Sequence, residues 1–198
     1  MYRVYGMSSS GNCYKVRLLL TQLDEPFEWI ETSTLKKETR TPEFLKLNPN
    51  GKIPLLQLDD GRLLPESDAI LCYLAEGTVF LPSDRWLRAE ILQWLFWEQY
   101  SHEPYIATAR FIVHSLRQPD EPSLPQKRER GYQALGVMEQ HLTTRHFFVC
   151  ETYTIADIAL YAYTHVADQG GYDLARFPAV RAWMDRVAAQ PGYLPLAG

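Results

Sequence analysis

Two stretches, Asn50-Gly51-Lys52-Ile53-Pro54-Leu55-Leu56 and Pro65-Glu66-Ser67-Asp68-Ala69-Ile70, carry most of the structural information in this chain. Proline lacks an N–H and is confined to strand starts, edges and bulges, so Pro54 marks the beginning of a strand over 55–58. The second stretch opens an amphipathic helix. Together the two stretches predict a cavity lined by exposed backbone and by a helix N-terminus, which suits a small peptide-like anion.

The first stretch offers backbone hydrogen bonds to a ligand only in one conformation. If the Ile53–Pro54 bond is cis, the chain turns sharply and the N–H and C=O of Ile53 face outward, where they can pair with a bound peptide. Only about 5–6% of X–Pro bonds are cis, so the dipeptide alone favours an ordinary trans proline.

The second stretch is suited to an amino acid head group. We expect Ser67 to act as the N-cap of a helix that runs to Gly77, where free N–H groups and the helix dipole favour a carboxylate. Glu66, just outside that helix, is placed to hold an ammonium group. A polar capping cluster without a ligand is the alternative.

The combined pattern resembles a known signature. Asn48-Pro49-x-x-Lys52-Ile53-Pro54, followed after eleven residues by Glu66-Ser67-x-Ala69-Ile70, is similar to the glutathione-binding motif of the glutathione transferase family. The resemblance implies a cis Pro54, pairing of Ile53 with the cysteinyl backbone of glutathione, and Glu66 with Ser67 on its γ-glutamyl group. Candidates for its glycine carboxylate are Lys37, Thr39, Arg40 and Lys52, with Thr39 at the position that matches the family.

The resemblance also implies an architecture: an α/β thioredoxin-like N-terminal domain followed by an all-α C-terminal helical domain. The order of predicted strands and helices places the first domain at residues 1–76, a linker at 77–84 and the helical domain at 85–198. In the helical domain we expect a long helix over 86–116 that bends near Pro104, a helix after Pro125 and another from Pro178. Thr154-Ile155-Ala156-Asp157 has the form of an N-capping box.

The turn Ser8-Ser9-Ser10-Gly11-Asn12, between the first strand and the first helix, is the candidate catalytic segment. A free thiol has a pKa near ~8.5, and a hydroxyl donor at a helix N-terminus lowers it. Ser10 occupies the position of the catalytic serine of theta-like and zeta-like transferases, and Ser10-Gly11-Asn12 resembles the Thr-x-Asn turn of some bacterial members. We therefore expect Ser10, assisted by Asn12, to activate glutathione; helix capping, or a role for Ser8 or Ser9, are the alternatives.

Cys13 completes a Cys-x-x-Cys pattern in which the first sulfur is replaced by the oxygen of Ser10. That first sulfur is the exposed nucleophile of dithiol chemistry, so its loss argues against a disulfide reductase and against the cysteine-based transferase classes. Zeta-type isomerases have a cysteine where Asn12 stands, so isomerase activity is not implied. We expect Cys13 to be buried and apolar.

Composition excludes several other classes. The 198 residues carry a net charge of −4, which offers no basic surface for nucleic acid or an anionic membrane. Three cysteines form no disulfide framework, and no leader or membrane-spanning run is present, so a cytoplasmic location is expected. Glu98-Gln99-Tyr100-Ser101-His102-Glu103 lacks a second histidine for a metal site, and we expect a solvated or interdomain helix face there.

The function implied by the resemblance is conjugation of the glutathione thiolate to a small hydrophobic electrophile, a detoxification reaction with glutathione as co-substrate and no metal. We expect Tyr105, Ile106 and Phe111 to line the electrophile pocket, with core packing as the alternative for each. Arg110 is a candidate partner of an anionic co-substrate or of Glu103. Glutathione-dependent peroxide reduction and a non-catalytic binding module are the alternative functions, and the family implies a homodimer.

Overall fold

The computed structural model describes residues 1–197, and the chain divides into two compact units. The first consists of Met1–Glu76 together with the segment that begins at Pro191, and the second is Gly77–Gln190. None of the helices found among residues 1–197 is long and apolar enough to cross a membrane.

The first unit is a four-stranded sheet with helices. Strand order is β2-β1-β3-β4; β1 pairs parallel with β2 and antiparallel with β3, and β3 pairs antiparallel with β4. Its elements are β1 (Tyr2–Gly6), α1 (Gly11–Gln22), β2 (Phe27–Glu31), α2 (Pro42–Leu47), β3 (Leu55–Gln57), β4 (Leu63–Pro65) and α3 (Ser67–Ala75). The expected thioredoxin-like order of elements is confirmed.

The core of this unit lies between the sheet and its helices. Val4, in the central strand β1, faces Trp29 of β2 and Leu56 of β3 in the register and is completely buried. Other fully buried apolar side chains of this core come from α1, β3 and α3, among them Val16, Leu18, Leu19, Leu20, Leu55, Leu56, Ile70 and Leu71. Nearly continuous apolar runs in these short elements are what a sheet with a covered face requires.

The start of α3 differs from the prediction for Ser67. The N-cap residue is Glu66, whose backbone lies at φ 71° and ψ 115° and whose side chain makes no capping hydrogen bond. Ser67 is instead the first helical residue. The reason is steric: β4 ends at Pro65, so a single residue has to turn the chain from strand to helix, and it takes a left-handed φ to do so.

The C-terminal segment also differs from the expected range 85–198, because it joins the first unit from Pro191 onward. The Tyr14 hydroxyl of α1 donates a hydrogen bond of 2.8 Å to the Leu194 carbonyl. Gly192, at φ 71°, packs against Gln22 so closely that an added Cβ would lie 3.1 Å from the Gln22 Cα. The end of the chain therefore covers part of α1.

The second unit is helical. Its α-helices are α4 (Arg85–Trp97), α5 (Glu103–Arg110), α6 (Leu124–Leu142), α7 (Ile155–Thr164) and α8 (Pro178–Ala188). Near Pro104, where a bend was expected, the structure has a π-helical turn, Glu98–His102, immediately before α5, and a second such turn follows at Phe111–Ser115. Pro104 stands in the first turn of α5, where its missing N–H costs no hydrogen bond.

The expected solvated or interdomain face over 98–103 is wrong for two of its residues. Glu98 and His102 are completely buried, whereas Tyr100 is 83% exposed. The His102 Nε2 atom lies 2.9 Å from the Thr164 hydroxyl oxygen, and its Nδ1 lies 3.8 Å from Glu98 Oε1. The π-helical turn changes the angular spacing of the side chains, so both point into the helical core. Across the described residues 1–197, no group of three or more His, Cys, Asp or Glu side chains is arranged to hold a metal ion.

Helix α7 is the centre of the second unit, and its expected capping box is confirmed. All of its residues are buried, and one carboxylate organises its N-terminus. Asp157 accepts hydrogen bonds from the Thr154 N–H at 2.9 Å, the Phe148 N–H at 3.1 Å and the Trp183 indole N–H at 2.9 Å. Complete burial nevertheless raises the pKa of this carboxyl to about 6.

We predict that Asp157→Ala lowers the free energy of unfolding by about 3 kcal/mol, because buried donors left without an acceptor cost about 1–3 kcal/mol each. Urea denaturation at neutral pH measures the change. Asp185→Ala, an exposed aspartate of α8, is the matched control and should change stability by less than about 0.5 kcal/mol. Equal unfolding midpoints for the two variants would contradict the assignment.

The same variant should show a pH-dependent penalty. The folded pKa of Asp157 is raised to about 6 from its ordinary value of 3.8, so its protonation stabilises the fold fully below the ordinary value and this contribution is lost as pH rises through 6. The destabilisation by Asp157→Ala should therefore be about 1 kcal/mol smaller at about pH 8 than at about pH 5. A penalty that grows with pH would refute this.

Candidate active site

The sheet register brings the candidate segments together at one end of the strands. Tyr5 of β1, Leu55 of β3 and Pro65 of β4 form a single row across three strands. The residues just beyond this row are the turn after β1, the Ile53–Pro54 dipeptide before β3 and Glu66 after β4. Two antiparallel pairings, β1 with β3 and β3 with β4, thus gather segments that are far apart in the chain.

The turn after β1 is anchored by Glu31. This carboxylate accepts hydrogen bonds from the Ser8 N–H at 3.0 Å, the Ser8 hydroxyl at 2.7 Å and the Trp29 indole N–H at 2.8 Å. Burial raises the pKa of Glu31, but these donors and Arg17 outweigh it and leave the pKa lowered. Because the Ser8 hydroxyl donates to Glu31, Ser8 stabilises the conformation of the turn.

Ser10 is the N-cap of α1. Its backbone is extended, at φ −84° and ψ 126°, and its Oγ accepts a hydrogen bond of 3.4 Å from the Cys13 N–H. Capping was one of the alternatives for this serine, and capping and thiol activation are compatible. A hydroxyl that accepts at its oxygen keeps one O–H to donate, and here that O–H stands at the positive end of the α1 dipole.

Asn12 links the turn to the start of α3. Its Oδ1 accepts a hydrogen bond of 3.3 Å from the Ser67 hydroxyl, across 55 positions of sequence. The amide oxygen is therefore used inside the protein, and the amide nitrogen is the donor side of the group. The candidate thiol-activating turn and the candidate γ-glutamyl site are in direct contact.

Cys13 is buried completely, as expected. Its sulfur accepts a hydrogen bond of 3.4 Å from the Met7 N–H. Burial raises the pKa of the thiol to about 11, so it is protonated and inert at neutral pH. The turn therefore offers oxygen and nitrogen donors to a ligand but no reactive protein thiol.

The loop before β3 is shaped by Asn48. The Ile53–Pro54 bond is cis. The buried Asn48 side chain donates to the Lys52 carbonyl at 2.8 Å and accepts from the Asn50 N–H at 3.1 Å. Gly51 has φ 61°, and an added Cβ there would lie 2.9 Å from the Thr39 carbonyl oxygen. Asn48 therefore holds the backbone that presents Ile53, and its role was not evident from the sequence pattern.

The predicted wall for the glycine carboxylate is mixed in exposure. Thr39 is buried on the short 3-10 helix Glu38–Arg40, whereas Lys37 and Lys52 are exposed. The Arg40 guanidinium donates to the Asn50 carbonyl at 3.2 Å. Arg40 is exposed as well, so the charges of Lys37, Arg40 and Lys52 are all accessible to an anion.

Sequence reasoning missed Lys15, which lies beneath this site and is completely buried. Its Nζ is 3.1 Å from Asp68 Oδ1 and 3.5 Å from the Ser67 hydroxyl oxygen. The available signal was its position three residues after Asn12, on a helix whose following residues are apolar at 16, 18, 19 and 20. A lysine among apolar helix residues either extends its ammonium group to solvent or forms a buried ion pair. Periodicity does not distinguish these two cases.

The predicted electrophile residues lie in the second unit with different exposure. Ile106 is fully buried, Tyr105 is half-buried and Phe111 is exposed at the start of the second π-helical turn. Arg110 is buried and its Nε donates to Gln169 Oε1 at 2.7 Å, so the contact seen here is with Gln169. Burial lowers the pKa of Arg110.

Comparison with protein families assigns the whole architecture. The family model "Glutathione S-transferase, N-terminal domain" matches residues 9–76, and "Glutathione S-transferase, C-terminal domain" matches residues 92–191. The chain belongs to the glutathione S-transferase family. Its cis Pro54 and the Glu66-Ser67 pair therefore occupy the motif on which the resemblance was based.

Individual relatives of this glutathione S-transferase family member have varied names. The disulfide-bond oxidoreductase YfcG of Escherichia coli (strain K12) is 32% identical over 187 residues, which cover 91% of this chain and 87% of the relative. The crystal structure of glutathione S-transferase from Pseudomonas fluorescens [Pf-5] is 53% identical with a TM-score of 0.97, covering 100% of this chain and 99% of that one. Ure2p in complex with glutathione is 27% identical with a TM-score of 0.86, covering 96% and 91%.

We predict that Asn48→Ala weakens glutathione binding about tenfold, because the Lys52 and Asn50 backbone groups lose their internal partner and the loop before β3 loosens. The same lost hydrogen bonds should lower the free energy of unfolding by about 1–2 kcal/mol. Calorimetric titration with glutathione and urea denaturation measure the two effects. Asn50→Ala, at the exposed neighbouring position, removes an amide outside this network; an equal loss of affinity in that control would contradict the role of Asn48.

Proposed function

We propose that this protein binds glutathione in its first unit and conjugates the glutathione thiolate to a small electrophile. The observation that carries the proposal is the hydrogen bond between Asn12 and Ser67, which joins the candidate activating turn to the candidate γ-glutamyl site. In glutathione the thiol and the γ-glutamyl carboxylate belong to adjacent residues joined by one amide bond. A single glutathione molecule therefore reaches two neighbouring segments of this kind.

The proposed binding mode uses three segments that lie at this end of the strands. The γ-glutamyl carboxylate takes the free N–H groups at the start of α3, and the exposed Glu66 holds its ammonium group. The cysteinyl backbone pairs with Ile53 at the cis peptide bond. Lys52 and Lys37 supply positive charge near the glycine carboxylate, above the buried Thr39. The complex of the relative Ure2p with glutathione supports this ligand class.

The chemical step follows from the donors at the turn. The Ser10 hydroxyl and the Asn12 amide donate hydrogen bonds to the sulfur at the N-terminus of α1, which stabilises the thiolate relative to the thiol. The thiol proton leaves to solvent. The thiolate then attacks the electrophilic carbon, a carbon–sulfur bond forms, and the leaving group departs with its electron pair. The rate gain comes from thiolate population and from positioning.

The electrophile is proposed to contact aromatic side chains of the second unit. Tyr105 and the exposed Phe111 carry accessible apolar surface there. Ile106 supports them from the core. A hydrophobic, uncharged electrophile fits this lining, because Arg110 is buried and bonded to Gln169.

Glutathione-dependent disulfide reduction is a second candidate, favoured by the name of the Escherichia coli relative. The same thiolate would attack a disulfide sulfur, form a mixed disulfide and release a thiol; a second glutathione would then release glutathione disulfide. Cys13 does not take part because it is buried and protonated. Peroxide reduction starts from the same thiolate, which takes an oxygen from the hydroperoxide to become a glutathione sulfenic acid and releases an alcohol; a second glutathione then gives glutathione disulfide and water. Parallel assays with an aryl halide, a small disulfide and an alkyl hydroperoxide separate the three reactions.

We predict that Ser10→Ala and Asn12→Ala each raise the pKa of bound glutathione by about one pH unit, which lowers kcat/KM about tenfold at pH values below it. Calorimetry with glutathione, and the ultraviolet thiolate absorbance of the complex as a function of pH, measure binding and ionisation. An unchanged absorbance in Ser10→Ala and a lost one in Asn12→Ala would assign activation to Asn12 alone.

Loss of the α1 cap accompanies Ser10→Ala and should lower stability by about 1 kcal/mol. Asp84→Ala is the matched control, because Asp84 caps α4 through the Trp86 and Leu87 N–H groups at 2.9 Å each. It should cost similar stability and leave the thiolate absorbance unchanged. If wild-type protein fails to bind millimolar glutathione, the enzymatic proposal is refuted and a docking module becomes the better explanation.

We also propose that the protein is a homodimer. Trp86, Phe96 and Tyr100 of α4 and the following turn are 71%, 69% and 83% exposed, an unusual density of aromatic surface for one helix. Light scattering should give about twice the mass of one chain, and Phe96→Arg should shift it toward the monomer. Val137→Arg, at an exposed apolar position of α6, is the control that should stay dimeric. A monomeric wild type would refute the proposal.

A further inference from the structure

Lys15 is a charged side chain that folding alone does not justify. It is 0% exposed, on a helix packed with leucine and valine. Burying an ammonium group costs several kcal/mol of hydration even when it is paired, and apolar replacements of buried ion pairs are often neutral or stabilising. Its Nζ contacts Asp68 and Ser67, the residues that begin α3. The cation is therefore directed at the candidate glutathione site.

The donors in this cluster run in one direction. An ammonium group has donors and no acceptor, so the Ser67 oxygen at 3.5 Å from Lys15 Nζ is the acceptor of that contact. The Ser67 hydroxyl reaches two acceptors, Asn12 Oδ1 at 3.3 Å and Asp68 Oδ1 at 3.5 Å. Because Asp68 Oδ1 already accepts from Lys15 Nζ at 3.1 Å, we assign the single Ser67 proton to Asn12 Oδ1. This fixes the orientation of the Asn12 amide, because its oxygen has to face Ser67 and its nitrogen the opposite side.

We propose that Lys15 is a positioning residue for thiol activation: through Ser67 it orients and polarises the Asn12 amide, which donates to the glutathione sulfur. The inference deepens the proposed function and depends on it. Hydrogen bonds in series strengthen one another, and a cation at the start of the series increases the effect. Removal of the charge should therefore be felt at the sulfur although Lys15 never touches it.

Several carboxylates near Lys15 disfavour a thiolate, so the positive charge of Lys15 opposes their effect. Carboxylates face the region from several elements: Asp68 on α3, Glu31 on β2 and the exposed Glu66 before α3. Each of them disfavours a nearby thiolate. Arg17, on the same helix as Lys15, lies over the Trp29 ring at 5.6 Å and faces Glu31. Lys15 is the cation that contacts the Ser67 end of the network.

The direction of the series has a second consequence for glutathione binding. Ser67 is only 5% exposed, and its hydroxyl is engaged with Lys15 and Asn12. The γ-glutamyl carboxylate is then held by backbone N–H groups of the first turn of α3, and the hydroxyl serves the sulfur. Loss of the hydroxyl should therefore affect thiol ionisation more than ligand affinity.

The test compares Lys15→Met, Ser67→Ala and the control Lys46→Met, an exposed lysine of α2. The thiolate absorbance of saturated glutathione complexes is titrated against pH, and S-methylglutathione, which has no thiol proton, is titrated by calorimetry. We expect both variants at the cluster to raise the pKa of the bound thiol by about one pH unit and to lower kcat/KM about tenfold below that pKa. Affinity for S-methylglutathione should stay within about threefold, and Lys46→Met should match wild type.

A double-mutant cycle tests the series itself. Lys15→Met combined with Ser67→Ala should raise the thiol pKa no further than either change alone, because both interrupt the same path. Additive rises would show independent effects and overturn the proposal. So would a tenfold loss of S-methylglutathione affinity in Ser67→Ala with an unchanged thiol pKa, since the hydroxyl would then bind the carboxylate.

Two further measurements distinguish a folding defect, or a failure of the proposed function, from a loss of the Lys15 effect. If Lys15→Met does not fold, Lys15→Met with Asp68→Asn leaves no unpaired buried charge and should still raise the thiol pKa. If wild type forms a thiolate complex but the cluster variants titrate like wild type, the series is refuted while the transferase proposal stands. Absence of any glutathione complex in wild type refutes the transferase proposal first.

Discussion

The register of the central strand β1 is the constraint on which the rest of the first unit depends. Val4 is paired on both sides, parallel with β2 and antiparallel with β3, and is completely buried between them. A shift of one residue would turn this side chain to the opposite face of the sheet. The same shift would move the end of β1 away from Leu55 and Pro65, and the segments that form the candidate site would no longer meet.

The candidate site at this end of the strands offers hydrogen-bond donors and no reactive protein thiol. Cys13 is packed under the turn with a pKa raised to about 11, while Ser10 and Asn12 remain the groups with oxygen and nitrogen chemistry. Members of one fold can therefore run different reactions by changing a turn, because the scaffold and the ligand site stay the same. The name of the Escherichia coli relative and those of the transferases are consistent with that view.

Several polar side chains that a helical sequence pattern would place on the surface are buried and connect secondary-structure elements. Asp157 ties α7 to α8 and to the segment around Phe148, and Glu98 with His102 lies inside the second unit. Lys15 does the same in the first unit by joining α1 to α3. In each case the charge or dipole is retained with hydrogen-bonding partners, and the helix ends are held in fixed relative positions as a result.

The sequence by itself determined the family, the order of strands and helices, the capping box at Thr154 and the buried Cys13, because these depend on local spacing and on a motif with a single structural solution. The cis bond before Pro54 was implied by that motif and is present. Tertiary structure alone decided that Ser67 follows a left-handed Glu66, that Asn12 meets Ser67, and that Lys15, Glu98 and His102 are buried. These outcomes depend on contacts between residues far apart in the chain, and periodicity records only which residues share a face, not what covers that face.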